Sequence, residues 1–373
     1  MNTDQPLFDR GAFRIQEGVA HVCAGGEPPF LFAHDAALTQ YAIDKSSGMP
    51  GRTAMEAQVN RAQTRIATSW GAAPDEIGFV ASVADGVAMV AESLVFEPGV
   101  NFVVYALAYP SIVAPFALQR HPQLEIRVAR GTAPDRHLPL VNASTRVIGA
   151  SCVSYMTGER LDLPLLRQAA DRVGAMLVVD FTQAAGWLPI DAAVADFAFS
   201  ACYKWLLGTT GAAIAYWNRT RQPDWVPSTA GWNSIATFSR PDWSSPINVK
   251  PGAARFTRGN PAHGPVYVLN SALDFLDQHD PALLRRHVSA LTKALINRLR
   301  QAGIPLTTPA DPARHGANIC MDSSAAQTMC NELNDQNIYA WNGHGRLRFS
   351  FHGYNTTDDV TRIATALPAL WRP

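Results

Sequence analysis

Charge is scarce in this chain and balanced in sign. Only 17% of its 373 residues are charged, and 31 Lys and Arg offset 31 Asp and Glu to a formal net charge of zero. With no excess of either sign, nothing in the composition favours a nucleic acid or an anionic membrane as a partner. Long apolar runs are missing too. None approaches the roughly 20 residues that span a bilayer, and the stretch Met1 to Arg10 has neither the basic nor the apolar region of a signal peptide. The five cysteines (Cys23, Cys152, Cys202, Cys320 and Cys330) are odd in number, scattered, and contain no Cys-x-x-Cys pair. They read as reduced thiols of a cytoplasmic protein, against a disulfide framework or a thiolate metal site. There is no internal repeat and no low-complexity tract. What remains is a hydrophobic content of 47%, that of a globular enzyme, in a chain long enough for a large domain and a smaller one.

The large domain is legible from alternation. After a short helix or arm over Leu7–Glu17 and a Gly-Gly-Glu-Pro-Pro turn at residues 25–29, the patterns give a helix at Ala36–Asp44, a loop at Ser46–Arg52 and a helix at Ala54–Trp70. Strands follow at Asp75–Val80, Phe102–Tyr105, Glu125–Ala129, Thr145–Val153, Ala175–Val179, Asp196–Ser200 and Gly211–Trp217, with helices at Val87–Val95 and Leu161–Val173. Strands alternating with helices imply a mostly parallel sheet covered on both faces. Beyond residue 260 come helices at Val266–Gln278, Ala282–Ala302 and Ala325–Gln336. Short strands are expected at Ile304–Thr308, Asn318–Met321 and Gly345–His352, before a closing helix. We divide the chain into an arm at 1–20, a large domain at 21–260 and a small C-terminal domain at 261–373.

Chemistry concentrates between Val178 and Tyr216. The apolar run Ala175–Val179 lacks helical period and stops at Asp180, with Gln183 three residues on. The next strand is followed by Tyr203-Lys204-Trp205-Leu206-Leu207-Gly208. An acid and an amine thus stand at the ends of two successive strands, where open α/β sheets place ligands. The pair suits an aldehyde cofactor with a basic ring nitrogen. In pyridoxal phosphate the aldehyde condenses with a lysine amine that burial keeps neutral. A carboxylate facing the pyridine nitrogen keeps it protonated and makes the ring an electron sink, and an amide such as Gln183 can hydrogen-bond the phenolic oxygen. Upstream, the small residues Ala81 to Gly86 lie between a strand and a helix N-terminus, where free backbone N–H groups and the helix dipole receive a phosphate. Val83 and Ala84 lie at its centre.

The ordered set Asp-x-x-Gln, Asp-Phe, then Tyr-Lys-Trp-Leu-Leu-Gly-x-x-Gly resembles the class V aminotransferase superfamily, which includes cysteine desulfurases, kynureninases and isopenicillin N epimerase-like enzymes. The resemblance runs from about His21 to the C-terminus. It implies an α/β fold of type I, with a mostly parallel seven-stranded sheet, its 211–217 strand antiparallel, and a small α+β C-terminal domain. It implies pyridoxal 5'-phosphate on Lys204, a stacking ring at Tyr109 in Tyr-Pro-Ser, and cofactor contacts from Tyr203, Asp180 and Gln183. The N-terminal loop near Gly25 is then expected to approach cofactor and substrate. Arg255-Phe256-Thr257-Arg258-Gly259-Asn260-Pro261 matches a motif whose Thr, here Asn260, reaches the partner subunit's phosphate in a homodimer with shared sites. Five of the nine tryptophans fall between residues 205 and 243, and this aromatic, irregular stretch is expected at the dimer interface. In Arg346-Leu347-Arg348-Phe349-Ser350-Phe351-His352 the resemblance makes Arg348 the anchor of an amino-acid substrate's α-carboxylate. Arg346 is expected to be solvated.

The resemblance leaves the reaction open. The desulfurase branch carries a nucleophilic cysteine on a loop before the last strand, and here the loop Ala340–His344 has none. That disfavours a persulfide route and leaves a lyase cleaving a side-chain bond, with an aminotransferase or an epimerase as alternatives. Trp341 and His344 of that loop, and Tyr155, are candidates for the substrate side.

Overall fold

The computed structural model describes residues 3–118, 123–131, 133–236, 243–244 and 246–373. In chain order its first elements are β1 (Ala20–His21), α1 (Ala33–Ser46), α2 (Gly48–Trp70), β2 (Ile77–Val80), α3 (Val83–Ser93), β3 (Asn101–Tyr105), α4 (Pro110–Ala117) and β4 (Glu125–Ala129). Next come α5 (Pro134–His137), β5 (Thr145–Ser151), α6 (Leu163–Val173), β6 (Met176–Asp180), β7 (Phe197–Ala201), β8 (Ala213–Trp217) and α7 (His263–Leu276). The chain closes with α8 (Pro281–Gln301), β9 (Asn318–Asp322), α9 (Ala326–Asn334), β10 (Ile338–Tyr339), β11 (Trp341–Asn342), β12 (Arg346–Ser350) and α10 (Thr357–Leu370).

Seven strands form the central sheet in the order β2-β8-β7-β6-β5-β3-β4. β8 runs antiparallel to both neighbours and the other pairs are parallel. Every residue of β2, β3, β7 and β8 is buried, as expected of strands covered on both faces. One core layer packs α2, α6 and α7 on the sheet through Ile66, Trp70, Leu166 and Leu269. The layer on the opposite face packs α3 and α4 through Val87, Val90, Ile112 and Phe116. Because the parallel strands all point one way, their C-terminal ends share one rim.

A second, three-stranded antiparallel sheet, β11-β12-β9, is backed by α8, α9 and α10 around Leu295, Phe349 and Ile363. The arm belongs with it: β1 pairs in parallel with β10, and Ala20 and Val22 lie in that core.

Several local expectations are settled or corrected. Of the two forms open to residues 7–17, helix or arm, the chain takes the arm, with one 3-10 turn at Arg10–Ala12, because Phe8 and Phe13 are both buried and Phe13 bridges Leu31. The 46–52 stretch is mostly helix. α2 begins at Gly48, with Pro50 in the first turn, where a missing N–H costs nothing. A side chain at Gly51 would strike the Asp44 carbonyl at the end of α1. α3 starts at Val83, four residues before the expected Val87, since Ser82 accepts the Asp85 N–H and caps it. Residues 304–308 make no strand: Thr307 and Thr308 bond to Cys320 at isolated points. The 340–344 loop contributes the short strand β11. Of the five clustered tryptophans, Trp205, Trp217 and Trp225 are core residues, while Trp232 and Trp243 are exposed. Residues 237–242 and 245 of that aromatic stretch lie outside the described residues.

Candidate active site

β6 ends at Asp180 and the adjacent parallel strand β7 ends at Ala201, with Asp180 in register with Phe199. The two strand ends therefore abut at the rim. Lys204 follows three residues after β7 in a turn closed by the Leu207 N–H to Lys204 carbonyl bond (2.8 Å), and Leu207 itself adopts a left-handed φ of 57°. Its ammonium is buried, and burial first, then the Arg348 guanidinium, pulls its pKa down to about 8; Asp180, Glu27 and Cys23 oppose that shift. Asp180 is buried as well. Burial pushes its pKa up, against hydrogen bonds from Thr182, whose N–H donates to Oδ1 at 2.8 Å, and the charge of Lys204. Lys204 Nζ lies 5.4 Å from the ring centroids of both Tyr109 and Tyr203.

One cavity joins these groups. Ala81 to Ala84, Tyr109, Asp180, Tyr203, Lys204 and Thr210 all line it. Val83 and Ala84 are the first two residues of α3, so their N–H groups have no intrahelical acceptor and stand at the positive end of the helix dipole. The cavity thus offers an amine with lowered pKa, a buried acid and a helix N-terminus. Those features fit the aldehyde, ring nitrogen and phosphate of pyridoxal phosphate. Thr210 and Ser111 also line it, and sequence reading gave them no role. Asn260 does not line it. It lies in an adjoining cleft with Asp85, Thr257 and Arg258, of which Ala81 and Ala212 form the common wall.

Gln183 faces a smaller recess with Tyr109, Tyr155, Asp180 and Lys204. Its Nε2 donates to the Gly25 carbonyl (2.9 Å), and its Oε1 accepts from Trp205 Nε1 (3.0 Å) and Asn318 Nδ2 (2.9 Å). No signal near Gln183 points to these partners, which lie on distant elements.

Arg348 is buried, 2% exposed. Its Nη1 donates to the Tyr155 carbonyl (3.0 Å), its guanidinium lies 4.2 Å from the Trp341 ring centroid, and its Nε has no partner. Among the described residues no carboxylate pairs with it, and burial lowers its pKa. Arg346 is not solvated as expected. It is 6% exposed, its Nε bonds Asp322 at 2.5 Å, and its Nη1 bonds the Met156 carbonyl. Residues two apart on a strand share a face, so both arginines project onto the 155–156 backbone. Tyr155 packs edge-on against Tyr109 at 4.9 Å and against His344 at 6.4 Å.

A family model described as "Aminotransferase class-V" matches residues 33–363. The chain belongs to the class V aminotransferase family. Pyridoxal phosphate is its cofactor, and the chain is an enzyme of that family. Among curated relatives of this class V member, an uncharacterized aminotransferase of Bacillus subtilis is 27% identical over 317 residues, 83% of this chain and 82% of that protein. A kynureninase of Pseudomonas fluorescens is 27% identical over 234 residues, 60% of this chain and 56% of its own. Among solved structures, a cysteine desulfurase from Thermococcus onnurineus superposes with a TM-score of 0.86 at 19% identity, covering 97% and 96% of the two chains. The cystine C–S lyase C-DES superposes at 0.84 and 18% identity, covering 96% and 99%. At such identities the superpositions establish the fold of this class V enzyme.

Proposed function

We propose that this enzyme is a lyase that cleaves a bond in the side chain of an α-amino acid. The observation that carries the reading is an acid-free buried guanidinium whose charge acts on Lys204, bonded to the backbone of a neutral phenol that shares a recess with Lys204. With Nη1 given to the Tyr155 carbonyl, Arg348 offers its unpartnered Nε and its Nη2 to a carboxylate in the fork geometry that guanidinium favours. Tyr155, whose backbone carbonyl holds Arg348, has its phenol pKa raised by burial and by Tyr109. It therefore keeps its proton at neutral pH and can pass it to a departing side-chain atom. Pyridoxal phosphate, when bound, supplies an aldehyde for the substrate amine and a ring that takes up electron density from Cα. Asp180 would hold the ring nitrogen's proton, Val83 and Ala84 would bind the phosphate through their N–H groups, and Tyr109 would stack on the ring. Lys204, with its lowered pKa, removes the Cα proton as a neutral amine. Burial keeps all five thiols protonated: Cys152 and Cys202 are pushed up to about 12, Cys320 to about 11, and Cys23 and Cys330 are raised as well. A nucleophilic thiolate needs the opposite setting.

The test is a panel of amino acids assayed for ammonia and 2-oxo acid, with and without an added 2-oxo acid acceptor. A lyase releases both over many turnovers without the acceptor. Product that appears only with the acceptor makes the enzyme an aminotransferase and overturns the reading.

The same reading makes the active unit a homodimer. Phe32 just before α1, Leu38 and Ile43 on it, and Met49 at the start of α2 are exposed, as are Trp232, Trp243 and Ile247. Arg52 of α2 lies 5.4 Å from the Trp232 ring and shares a cleft with Asn260, which ties these apolar groups to the motif assigned to a partner's phosphate. A second copy covering them sets Asn260 at the neighbouring cavity rather than its own. A fully active monomer on a sizing column contradicts this.

A further inference from the structure

The hydrogen bonds around Gln183 run in only one possible direction. The Trp205 indole can only donate and the Gly25 backbone carbonyl can only accept. The first therefore fixes the position of Gln183 Oε1, and the second that of Nε2. Turning the amide over would set a donor against the indole N–H and an acceptor against the carbonyl. Asn318 completes the set. Its Nδ2 donates to the same Oε1 at 2.9 Å, and because that oxygen can only accept, the Asn318 amide is fixed as well, with its Oδ1 left to accept from the Ser350 hydroxyl at 2.7 Å. Gln183, Trp205, Asn318 and Ser350 are all buried, where an unmatched polar atom is expensive and a matched network specifies one arrangement. A side chain on Gly25 would come within 2.9 Å of Asn318 Oδ1, Ser350 Oγ and Gln183 Oε1, so the loop backbone closes on the network with no room to spare.

The network also joins separate parts of the chain. Gln183 and Trp205 stand at the rim of the central sheet, Asn318 and Ser350 are paired residues of β9 and β12 in the three-stranded sheet, and Gly25 lies on the loop after β1. Both lone-pair directions of the Gln183 oxygen are taken and one N–H is used. The second N–H carries no bond among the described residues, and Gln183 lines the recess with Lys204 and Asp180.

We propose that Asn318 is a positioning residue for the cofactor: with Trp205 it holds the Gln183 amide so that the remaining N–H meets the ring's phenolic oxygen, and it makes that contact depend on docking of the three-stranded sheet onto the rim. The proposal rests on the reading that the ring lies against Gln183. Losing this donor concentrates negative charge on the phenolic oxygen, which then holds the proton it shares with the Lys204 nitrogen more tightly.

The experiment is a pH titration of the bound cofactor's absorbance in the holoenzyme, for wild type, Gln183→Ala, Asn318→Leu and the double variant. Gln183→Ala should raise the midpoint by roughly half to one unit, the size of one hydrogen bond. Asn318→Leu, close in volume but without donors, should raise it in the same direction, and the double variant should match Gln183→Ala alone. Ser350→Ala removes only the bond that Asn318 Oδ1 accepts; it should give a smaller rise that also vanishes in the Gln183→Ala background, and it decides the matter if Asn318→Leu does not fold. A midpoint that Gln183→Ala moves but neither Asn318→Leu nor Ser350→Ala moves overturns the proposal alone. So does an Asn318 shift that adds in full to that of Gln183→Ala. A midpoint that Gln183→Ala itself leaves in place removes the underlying reading of Gln183, and the proposal with it.

Discussion

At the rim of the seven-stranded sheet a buried acid and a buried amine, Asp180 and Lys204, belong to one cavity at two adjacent strand ends. On the three-stranded sheet two buried arginines, Arg346 and Arg348, share one strand face. The first region balances its charge internally: Lys204 lowers the pKa of Asp180, and Asp180 raises that of Lys204. The second region splits the task. Arg346 meets Asp322 and the Met156 carbonyl, whereas Arg348 has one carbonyl, one aromatic face and an unpartnered Nε. A buried cation without an acid is costly unless something arrives to meet it. On the proposed reading, the comparison separates a rim built for a cofactor of fixed structure from a strand face left open for an exchangeable anion, one arginine holding the fold and the other receiving a ligand.

The largest effect expected is at the rim. Lys204→Ala should abolish turnover, by at least the roughly 10²–10⁴-fold that a positioned acid–base group supplies. Borohydride reduction of the wild type should leave the cofactor on the peptide containing Lys204. Its pH dependence has a definite sign. A lysine whose pKa falls from 10.5 to about 8 is neutral above pH 8, so the rate at which cofactor-free protein captures pyridoxal phosphate should rise with pH and level off above 8, where an exposed lysine would still be climbing. Asp180→Asn comes next. It should keep the cofactor through Lys204 and the phosphate but slow turnover at least about tenfold to a hundredfold, since a charge-assisted bond is worth roughly 1.5–3 kcal/mol. Wild-type turnover in that variant would reduce Asp180 to a structural residue.

Arg346→Ala should act on stability rather than chemistry. It strands the Met156 carbonyl and a half-exposed Asp322, so we expect a loss of about 1–3 kcal/mol in denaturant unfolding with KM unchanged. A rise in KM without loss of stability would erase the distinction between the two arginines. The smallest effects belong to the cysteines. Each changed singly to Ala should leave Cα proton exchange, followed by deuterium incorporation into substrate, within about tenfold of wild type, or roughly 1.4 kcal/mol of barrier. Loss of several orders of magnitude at one position, with a persulfide on that residue by mass spectrometry, would return the enzyme to sulfur-carrier chemistry.

The rim was legible in the sequence because its information is local. A buried strand has no helical period, its end is marked by the first charged residue, and Asp180 and Lys204 fall at two such ends in succession. The antiparallel β8 and the Arg348 strand followed from the resemblance. What stayed hidden is long-range. The partners of Gln183 are 158 residues upstream at Gly25 and 135 downstream at Asn318, and no spacing rule reaches them. Arg346 read as solvated because its burial depends on the 155–156 backbone, 190 residues away. Residues 7–17 read as a helix or an arm because nothing local decides between them; the burial of Phe8 and Phe13, and the bridge from Phe13 to Leu31, do.

The division between cofactor rim and substrate strand is tested most directly by one titration: an α-amino acid substrate and the matching amine without a carboxylate, each followed by the cofactor's absorbance in wild type and in Arg348→Ala. We predict that the variant retains its cofactor, that the amino acid's Kd rises at least about tenfold, the worth of one charged hydrogen bond, and that the amine's Kd does not change. Equal weakening of both ligands, or loss of the cofactor itself, would show that Arg348 serves the rim rather than the substrate carboxylate and would contradict the account.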